Sequence, residues 1–231
     1  MIWLDYFLFL LPGMALSMWA QARIMRAYSE GSRIPAGSGL SGAETAQLVM
    51  RAGGVLGVGI EPVAGELSDH YDPRNKVLRL SREVYAGRSL AAMGVAAHEA
   101  GHAIQDATGY PGLVARNFIV PLASLGSQVF WLLIAAGALL GMFRLIILGI
   151  ILFSLVVLFQ ILNLPVEFDA SRRGRQILLS AGLVSVEEEQ VVARVLNAAA
   201  WTYVAATLTG VLTLLYYLSQ FGLLGGRRND D

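Results

Sequence analysis

Three long stretches of the chain contain no charged residue, and a fourth contains only one. The uncharged stretches are 117–143, 145–166 and 195–226, with 27, 22 and 32 residues. Each is long enough to span a membrane, because a helix needs about 20 apolar residues to cross roughly 30 Å of hydrocarbon. The fourth stretch, 2–20, is interrupted by Asp5. The pattern predicts transmembrane helices over 2–20, 118–141, 145–164 and 201–224.

Arginines near the ends of these segments predict their orientation. The connections 21–117 and 165–200 carry most of the flanking arginines, which places both in the cytoplasm and the N-terminus outside. Arg227 and Arg228 then fall outside, against the rule that basic residues flank membrane helices on the cytoplasmic side. The first segment also has a signal-peptide alternative, since Ala20-Gln21-Ala22 fits a cleavage pattern, although it lacks the basic start of such peptides.

The connection 21–117 has the pattern of a small soluble domain. Ser41 and Glu44 have capping-box spacing and predict a helix over 42–53. Short apolar groups between Gly, Pro and Asp predict strands within 55–81, with a turn at Asp72-Pro73-Arg74-Asn75 and a strand over Lys76–Ser81 in a hairpin. An apolar and therefore buried helix is predicted from Leu90 to about Thr108, with Ser89 as its N-cap.

The connection 165–200 has helical patterns. Pro165 suits the first turn of a helix, because its missing N–H is not needed there, and predicts a helix over 166–179. Gly182 ends this helix, and Ser185 predicts the start of another that leads into the fourth segment.

The composition agrees with a chain that has much of its surface in lipid. Of the 231 residues, 55% are hydrophobic and only 15% are charged, against about 25% charged residues in soluble domains. The 17 basic and 17 acidic residues cancel, so nothing favours a nucleic-acid partner. The chain has no cysteine, which excludes disulfides, thiolate metal sites and a cysteine nucleophile.

His98-Glu99-Ala100-Gly101-His102, on the predicted helix 90–108, has the H-E-x-x-H pattern. Residues four apart lie about 40° apart around a helix and about 6 Å apart along it, so both imidazoles can reach one ion. Glu99, about 100° from His98, can approach a water on that ion without binding the ion. The pattern predicts a site for one Zn²⁺ per chain, where a bound water has its pKa lowered toward about 7 and Glu99 is the general base.

The third protein ligand must come from another part of the chain, and His70, Glu167 and Asp169 are the candidates. A carboxylate would complete the two-histidine, one-glutamate set of gluzincin-type peptidases. Glu167 and Asp169 point about 200° apart on a helix, so at most one of them can face the ion. Glu167 could instead pair with Arg172 or Arg173.

Three separated motifs follow one another over nearly the whole chain: Asp69-His70-Tyr71-Asp72-Pro73 with the strand Lys76–Ser81, then His98–His102, then Pro165–Arg173. Together they resemble the bacterial YugP-like family of membrane zinc metallopeptidases. The resemblance implies a zinc-dependent endopeptidase of the plasma membrane, with His98 and His102 as ligands, Glu99 as general base and Glu167 as third ligand.

The chain is more distantly similar to the integral-membrane proteases of the heat-shock and prenyl-protein-processing type. These combine H-E-x-x-H with a later Glu-x-x-x-Asp. Ser171 stands where that pattern has its aspartate, so the role of that aspartate cannot be carried over.

The remaining roles have several candidates each. The strand formed by Lys76, Val77, Leu78, Arg79 and Leu80 is the candidate edge for pairing with an extended substrate, or is an ordinary solvent-facing strand. The oxyanion of the reaction needs a donating partner, for which we rank His70 first, before Tyr71, Arg172 and Arg173. Each ligand imidazole needs a hydrogen-bond partner for its second ring nitrogen. We assign this role to Asp169, with the neighbouring Arg172 and Arg173, and Asp72 and Asp106 are further candidates.

The patterns together predict a mainly α membrane protein with about four transmembrane helices and a small α+β, zincin-like cytoplasmic domain that contains a short sheet. We expect a multi-pass zinc endopeptidase of the bacterial plasma membrane that cuts membrane-associated or misfolded polypeptides on the cytoplasmic side. The alternative is a non-catalytic scaffold or transporter with a structural or transported metal. A transporter should carry charged residues within its crossings, and the four segments contain only Asp5, which favours the enzyme.

Overall fold

A computed structural model describes residues 2–65 and 68–223. Its elements, in chain order, are α1 (Ile2–Ser32), α2 (Gly42–Ala52), β1 (Gly59–Val63), β2 (His70–Asp72), β3 (Val77–Ser81), α3 (Arg82–Ala86), α4 (Leu90–Ala107), α5 (Pro111–Leu140), α6 (Phe143–Ser180) and α7 (Val186–Gln220). They form two compact units. The first contains 2–19, 115–164 and 202–223, and the second contains 20–114 and 165–201.

The first unit consists of long apolar helices. Over the described residues, α5, α6 and α7 are long and apolar enough to cross a membrane. A fourth crossing over 2–20 stays a prediction, and α1 continues as helix to Ser32. Glycines let α5 and α6 pack closely, because a Cβ on Gly126 would lie 2.7 Å from Leu152 O and one on Gly149 would lie 2.9 Å from Phe130 O.

The helix start predicted at Pro165 is wrong, because α6 is continuous from Phe143 to Ser180 with Pro165 inside it. Proline removes one backbone hydrogen bond, but such a loss is tolerated where neighbouring groups and packing support the helix. The predicted start at Ser185 is confirmed: Ser185 Oγ accepts from Glu188 N at 3.2 Å, and α7 runs from there without a break. The predicted end of the fourth segment at 224, and Arg227 and Arg228, lie outside the described residues.

The second unit packs helices against a small mixed sheet. Both helices predicted in 21–117 are confirmed: α2 begins with a complete capping box at Ser41 and Glu44, and α4 begins at Ser89, whose side chain accepts from Ala92 N. The core joins α2, α4, the sheet, α6 and α7, and includes the fully buried side chains of Val49, Leu80, Met93, Leu178 and Val192.

The sheet has the order β1-β3-β2, with β3 parallel to β1 and antiparallel to β2. The predicted hairpin is therefore confirmed as β2 and β3. Lys76 ends its turn with a φ of 52°, a left-handed conformation, so the strand begins one residue later than predicted, at Val77.

The prediction of an edge strand over Lys76, Val77, Leu78, Arg79 and Leu80 is wrong. Within the described residues β3 is the central strand, and residues 77–79 are paired on both sides. The physical reason is the parallel pairing of β1 with β3, which covers the side of β3 that the hairpin leaves open. Period-two alternation is the same in central and edge strands, so the pattern could not distinguish them.

Candidate metal centre

The helix α4 presents two histidines to one side. His98 and His102 lie one turn apart, with their ring centroids separated by 4.8 Å and their planes at 79°. Half of the other residues of α4 are buried alanines or glycines. Small side chains allow neighbouring backbones to come close, so this helix lies deep in the second unit.

Two glycines bring α6 against α4. A Cβ on Gly101 would overlap Ala170 O and lie 2.9 Å from Ala170 C, while a Cβ on Gly174 would lie 2.7 Å from Ala97 C. Carbon atoms in unstrained contact are about 3.5–4.0 Å apart, so the two backbones touch where side chains would normally separate them. This contact carries Glu167, one turn before Ala170, to the histidine pair.

His98, His102 and Glu167 form a cluster that could hold a metal ion. Their candidate ligand atoms all lie within 4.8 Å of one another. Oε2 of Glu167 is 3.3 Å from Nε2 of His98 and 3.6 Å from Nε2 of His102. His70 and Asp169, the other candidates for the third ligand, do not belong to this cluster.

The environment of Glu167 fits a cation. The residue is 4% exposed, and its Oε2 has no hydrogen-bond partner among the described residues. A buried polar atom without a partner is costly, and a divalent ion between the carboxylate and the two imidazoles would satisfy it. Burial disfavours the charged form of His102, but the carboxylates of Glu167 and Glu99 outweigh this effect and raise the pKa of His102.

Each imidazole is held from behind by a neutral side chain. Nδ1 of His98 is 2.9 Å from Ser171 Oγ, and Nδ1 of His102 is 2.9 Å from Gln105 Oε1. Sequence reasoning missed both partners. The available signals were spacings: Gln105 is three residues after His102 and Ser171 is four after Glu167, and both spacings place residues on the same helix face.

Asp169 lies behind this arrangement. Its Oδ2 accepts from Gln105 Nε2 at 3.0 Å and from Arg173 Nε at 2.5 Å, and its Oδ1 accepts from Arg172. Arg173 also lies over the ring of Tyr110, with 5.6 Å between the guanidinium carbon and the ring centroid. Both arginines therefore pair with Asp169, and the alternative in which they pair with Glu167 is wrong.

Glu99 lies beside the cluster without belonging to it. Its Oε1 is 4.0 Å from Nε2 of His98, and the residue is 8% exposed. The position is the one expected from helical geometry, about 100° around the helix from His98. A carboxylate here is close enough to act on a small molecule held at the cluster.

The motif around residue 70 fixes the sheet. Asp69 accepts from Ser81 N and Oγ at 2.8 and 3.1 Å, and burial raises the pKa of Asp69 despite these bonds. Asp72 accepts from backbone N–H groups in the turn that follows β2. His70 is exposed on β2, and its Nδ1 is 2.8 Å from Ser68 O.

A second part of this motif ties the hairpin to α4. Tyr71 donates its hydroxyl to Asp106 at 2.6 Å, and Lys76 Nζ is 2.5 Å from the same carboxylate. Burial and the bond to Asp106 raise the pKa of Tyr71. Asp106 and Asp72 thus have structural partners, and neither is the partner of a histidine in the cluster.

Comparison with known proteins covers nearly the whole chain. Residues 6–222 match the family described as "Putative neutral zinc metallopeptidase". The chain is 47% identical over 222 residues, 96% of its length and 98% of the relative's, to a Bacillus subtilis (strain 168) protein named "Putative membrane protease YugP". No solved structure matches. Both the extent of the family match and the identity to this relative show that the chain belongs to this neutral zinc metallopeptidase family.

Proposed function

We propose that this protein is a membrane-embedded, zinc-dependent endopeptidase in which His98, His102 and Glu167 hold one Zn²⁺ per chain. The observation that carries the proposal is the buried Oε2 of Glu167, which faces both Nε2 atoms at 3.3 and 3.6 Å and has no hydrogen-bond partner among the described residues. Two nitrogens and a carboxylate oxygen are the ligand set of gluzincin-type catalytic sites, which keep one position for water.

Glu99 has the position and the burial of a general base. When bound, Zn²⁺ would act as a Lewis acid and lower the pKa of a coordinated water toward about 7. Glu99, 4.0 Å from His98 Nε2, would take a proton from water and return it to the leaving amine. A purely structural site would not need a buried carboxylate beside its ligands, which argues against the scaffold or transporter alternative.

Backbone pairing with a substrate needs a strand other than β3, because residues 77–79 of β3 are paired on both sides. Among residues 2–65 and 68–223, the edge strand joined to the H-E-x-x-H helix is β2, through the hydrogen bond between Tyr71 and Asp106. We therefore propose β2 as the strand that pairs with an extended peptide. His70 lies on this strand and is our first candidate for the group that contacts the oxyanion.

We expect the substrates to be membrane-associated or misfolded polypeptides, cleaved on the cytoplasmic side of the bacterial plasma membrane. The chain has no cysteine, so one introduced at exposed Gln47 of α2 reports the side of the second unit. In intact cells Gln47→Cys should react with a membrane-impermeant maleimide only after the membrane is opened. Labelling of unopened cells would place this unit outside.

The general-base assignment is tested with purified protein in detergent. Glu99→Gln should retain about one zinc per chain and lose cleavage of casein, whereas His98→Ala should lose both. Glu30→Gln changes an exposed glutamate of α1 and serves as the matched control with parental activity. Equal cleavage by Glu99→Gln and the parent would refute the role of Glu99.

The third ligand is tested by the zinc content of three further variants. Glu167→Ala should lose the metal, while His70→Ala and Asp169→Ala should retain most of it. His70→Ala should instead lower the turnover number. Loss of zinc in His70→Ala alone would show that Glu167 is not the ligand.

A further inference from the structure

Gln105 is a fully buried amide next to the cluster. It is 0% exposed and follows His102 by one turn of α4. Its side chain makes three hydrogen bonds: Oε1 to His102 Nδ1 at 2.9 Å, and Nε2 to Val166 O at 2.8 Å and to Asp169 Oδ2 at 3.0 Å. A buried amide is tolerated when its polar atoms are satisfied, and here the partners lie on two different helices.

These partners determine which way the amide points. The backbone carbonyl of Val166 can only accept a hydrogen bond, and the Asp169 carboxylate is paired with Arg172 and Arg173, so it accepts as well. An amide oxygen turned toward two acceptors would make no hydrogen bond. The NH₂ group of Gln105 therefore faces α6, and Oε1 faces His102, as the hydrogen-bond network requires.

The direction of the amide determines which ring nitrogen of His102 carries the proton. Oε1 of Gln105 can only accept a hydrogen bond, so in its contact with His102 the hydrogen must be on Nδ1 of His102. The lone pair for a metal is then on Nε2, the atom that lies 3.6 Å from Glu167 Oε2. A reversed amide would donate to Nδ1 and favour a proton on Nε2, which would block the position of a ligand.

The same amide also holds the segment that carries Glu167. Its two acceptors, Val166 and Asp169, flank Glu167 in the sequence and on α6. One side chain thus connects the orientation of a histidine on α4 to the placement of the carboxylate on α6.

We propose that Gln105 is a positioning residue of the metal centre, which holds His102 in its Nδ1-protonated form, and that Asp169 acts through it by fixing the direction of its amide. The inference rests on the proposed function, since it concerns ligands of the proposed zinc site. Neither residue binds the metal in this scheme. Removing a hydrogen-bond partner of this kind from a metal-binding histidine typically lowers the metal affinity 10–100-fold.

The test uses the full chain in detergent with ¹⁵N-labelled histidine. Only three histidines are present, so ring signals can be assigned by substitution. In the metal-free parent, at a pH where the His102 ring is neutral, its proton should be on Nδ1 and not on Nε2. Gln105→Met keeps the length of the side chain without its hydrogen bonds; it should lose this preference and bind zinc about 10–100-fold more weakly in competition with a chelator.

The matched control is Thr45→Val in the same unit. Thr45 is also 0% exposed, and its hydroxyl donates to Ser41 O at 2.8 Å. This variant loses a buried hydrogen bond without contacting the cluster, so it should keep the parental zinc affinity and His102 form. A drop in zinc affinity equal to that of Gln105→Met would mean that general loosening explains both, and would overturn the inference.

Asp169→Asn provides a second, nearly isosteric variant should Gln105→Met fail to fold. An asparagine can donate to Oε1, so the amide can reverse, and we expect a second His102 form and a several-fold weaker zinc affinity. Unchanged His102 signals and unchanged affinity would overturn the role of Asp169. Zinc bound by the parent and equally tightly by Gln105→Met would overturn the inference alone, whereas no zinc uptake by the parent would overturn the proposed function.

Discussion

The close contact between α4 and α6 makes Gly101→Ala the sharpest test of how this site is built. The new methyl carbon would overlap Ala170 O and lie 2.9 and 3.0 Å from Ala170 C and Cα. Unstrained carbon contacts need about 3.5–4.0 Å, and backbone atoms cannot turn aside. The two helices must therefore separate by about 0.5–1 Å.

The magnitude follows from two opposing effects. Overpacking of this kind costs about 1–3 kcal/mol, and alanine returns about 1 kcal/mol through its higher helix propensity. We expect a net destabilisation of no more than about 2 kcal/mol, which leaves the protein folded. The site suffers more, because metal-ligand distances tolerate only about 0.2 Å, and a misplacement of 1 Å costs about 10²-fold in rate.

Gly94→Ala is the matched control, since Gly94 lies on the same helix but faces only a side chain. A Cβ there would lie 3.1 Å from Val192 Cγ1, a methyl group that can shift. The measurements are zinc affinity by chelator competition, casein cleavage and denaturation in detergent. Gly101→Ala should lose zinc affinity and about 10²-fold in kcat/KM, with Gly94→Ala close to the parent. Parental zinc affinity and cleavage in Gly101→Ala would refute the argument that this contact positions Glu167.

Two further predictions concern hydrogen bonds at and away from the site. Ser171→Ala removes the partner of His98 Nδ1 and should weaken zinc binding by about tenfold or more; unchanged affinity in the chelator assay would contradict it. Tyr71→Phe removes the bond to Asp106, while Lys76 keeps that carboxylate paired. It should lower the free energy of unfolding by about 1 kcal/mol and leave the zinc content of the purified protein unchanged, and a loss of zinc would contradict this separation.

The sequence-based predictions succeeded where the signal is local. The capping residues Ser41, Ser89 and Ser185 mark helix starts that the structure contains. The histidines of H-E-x-x-H share a helix face because their spacing matches the helical period. These features depend on interactions within a few residues, so a single sequence contains them in full.

The unsuccessful predictions depended on contacts distant in sequence. Pro165 has the local character of a helix start, yet packing keeps α6 continuous through it. The alternation over Lys76–Ser81 identifies a strand but not its neighbours, and β1 covers the side that was expected to be free.

Sequence alone determined the long apolar segments, the helix that carries His98 and His102, and the short set of acidic and imidazole groups from which a third ligand could come. Tertiary structure decided that Glu167 is the member of that set that reaches the histidine pair. It also decided that Ser171 and Gln105 contact the Nδ1 atoms of the two histidines, and that Asp169 contacts Gln105. The physical reason is distance along the chain: periodicity describes one element at a time, whereas the approach of Glu167 depends on two glycine-mediated backbone contacts between helices about 70 residues apart.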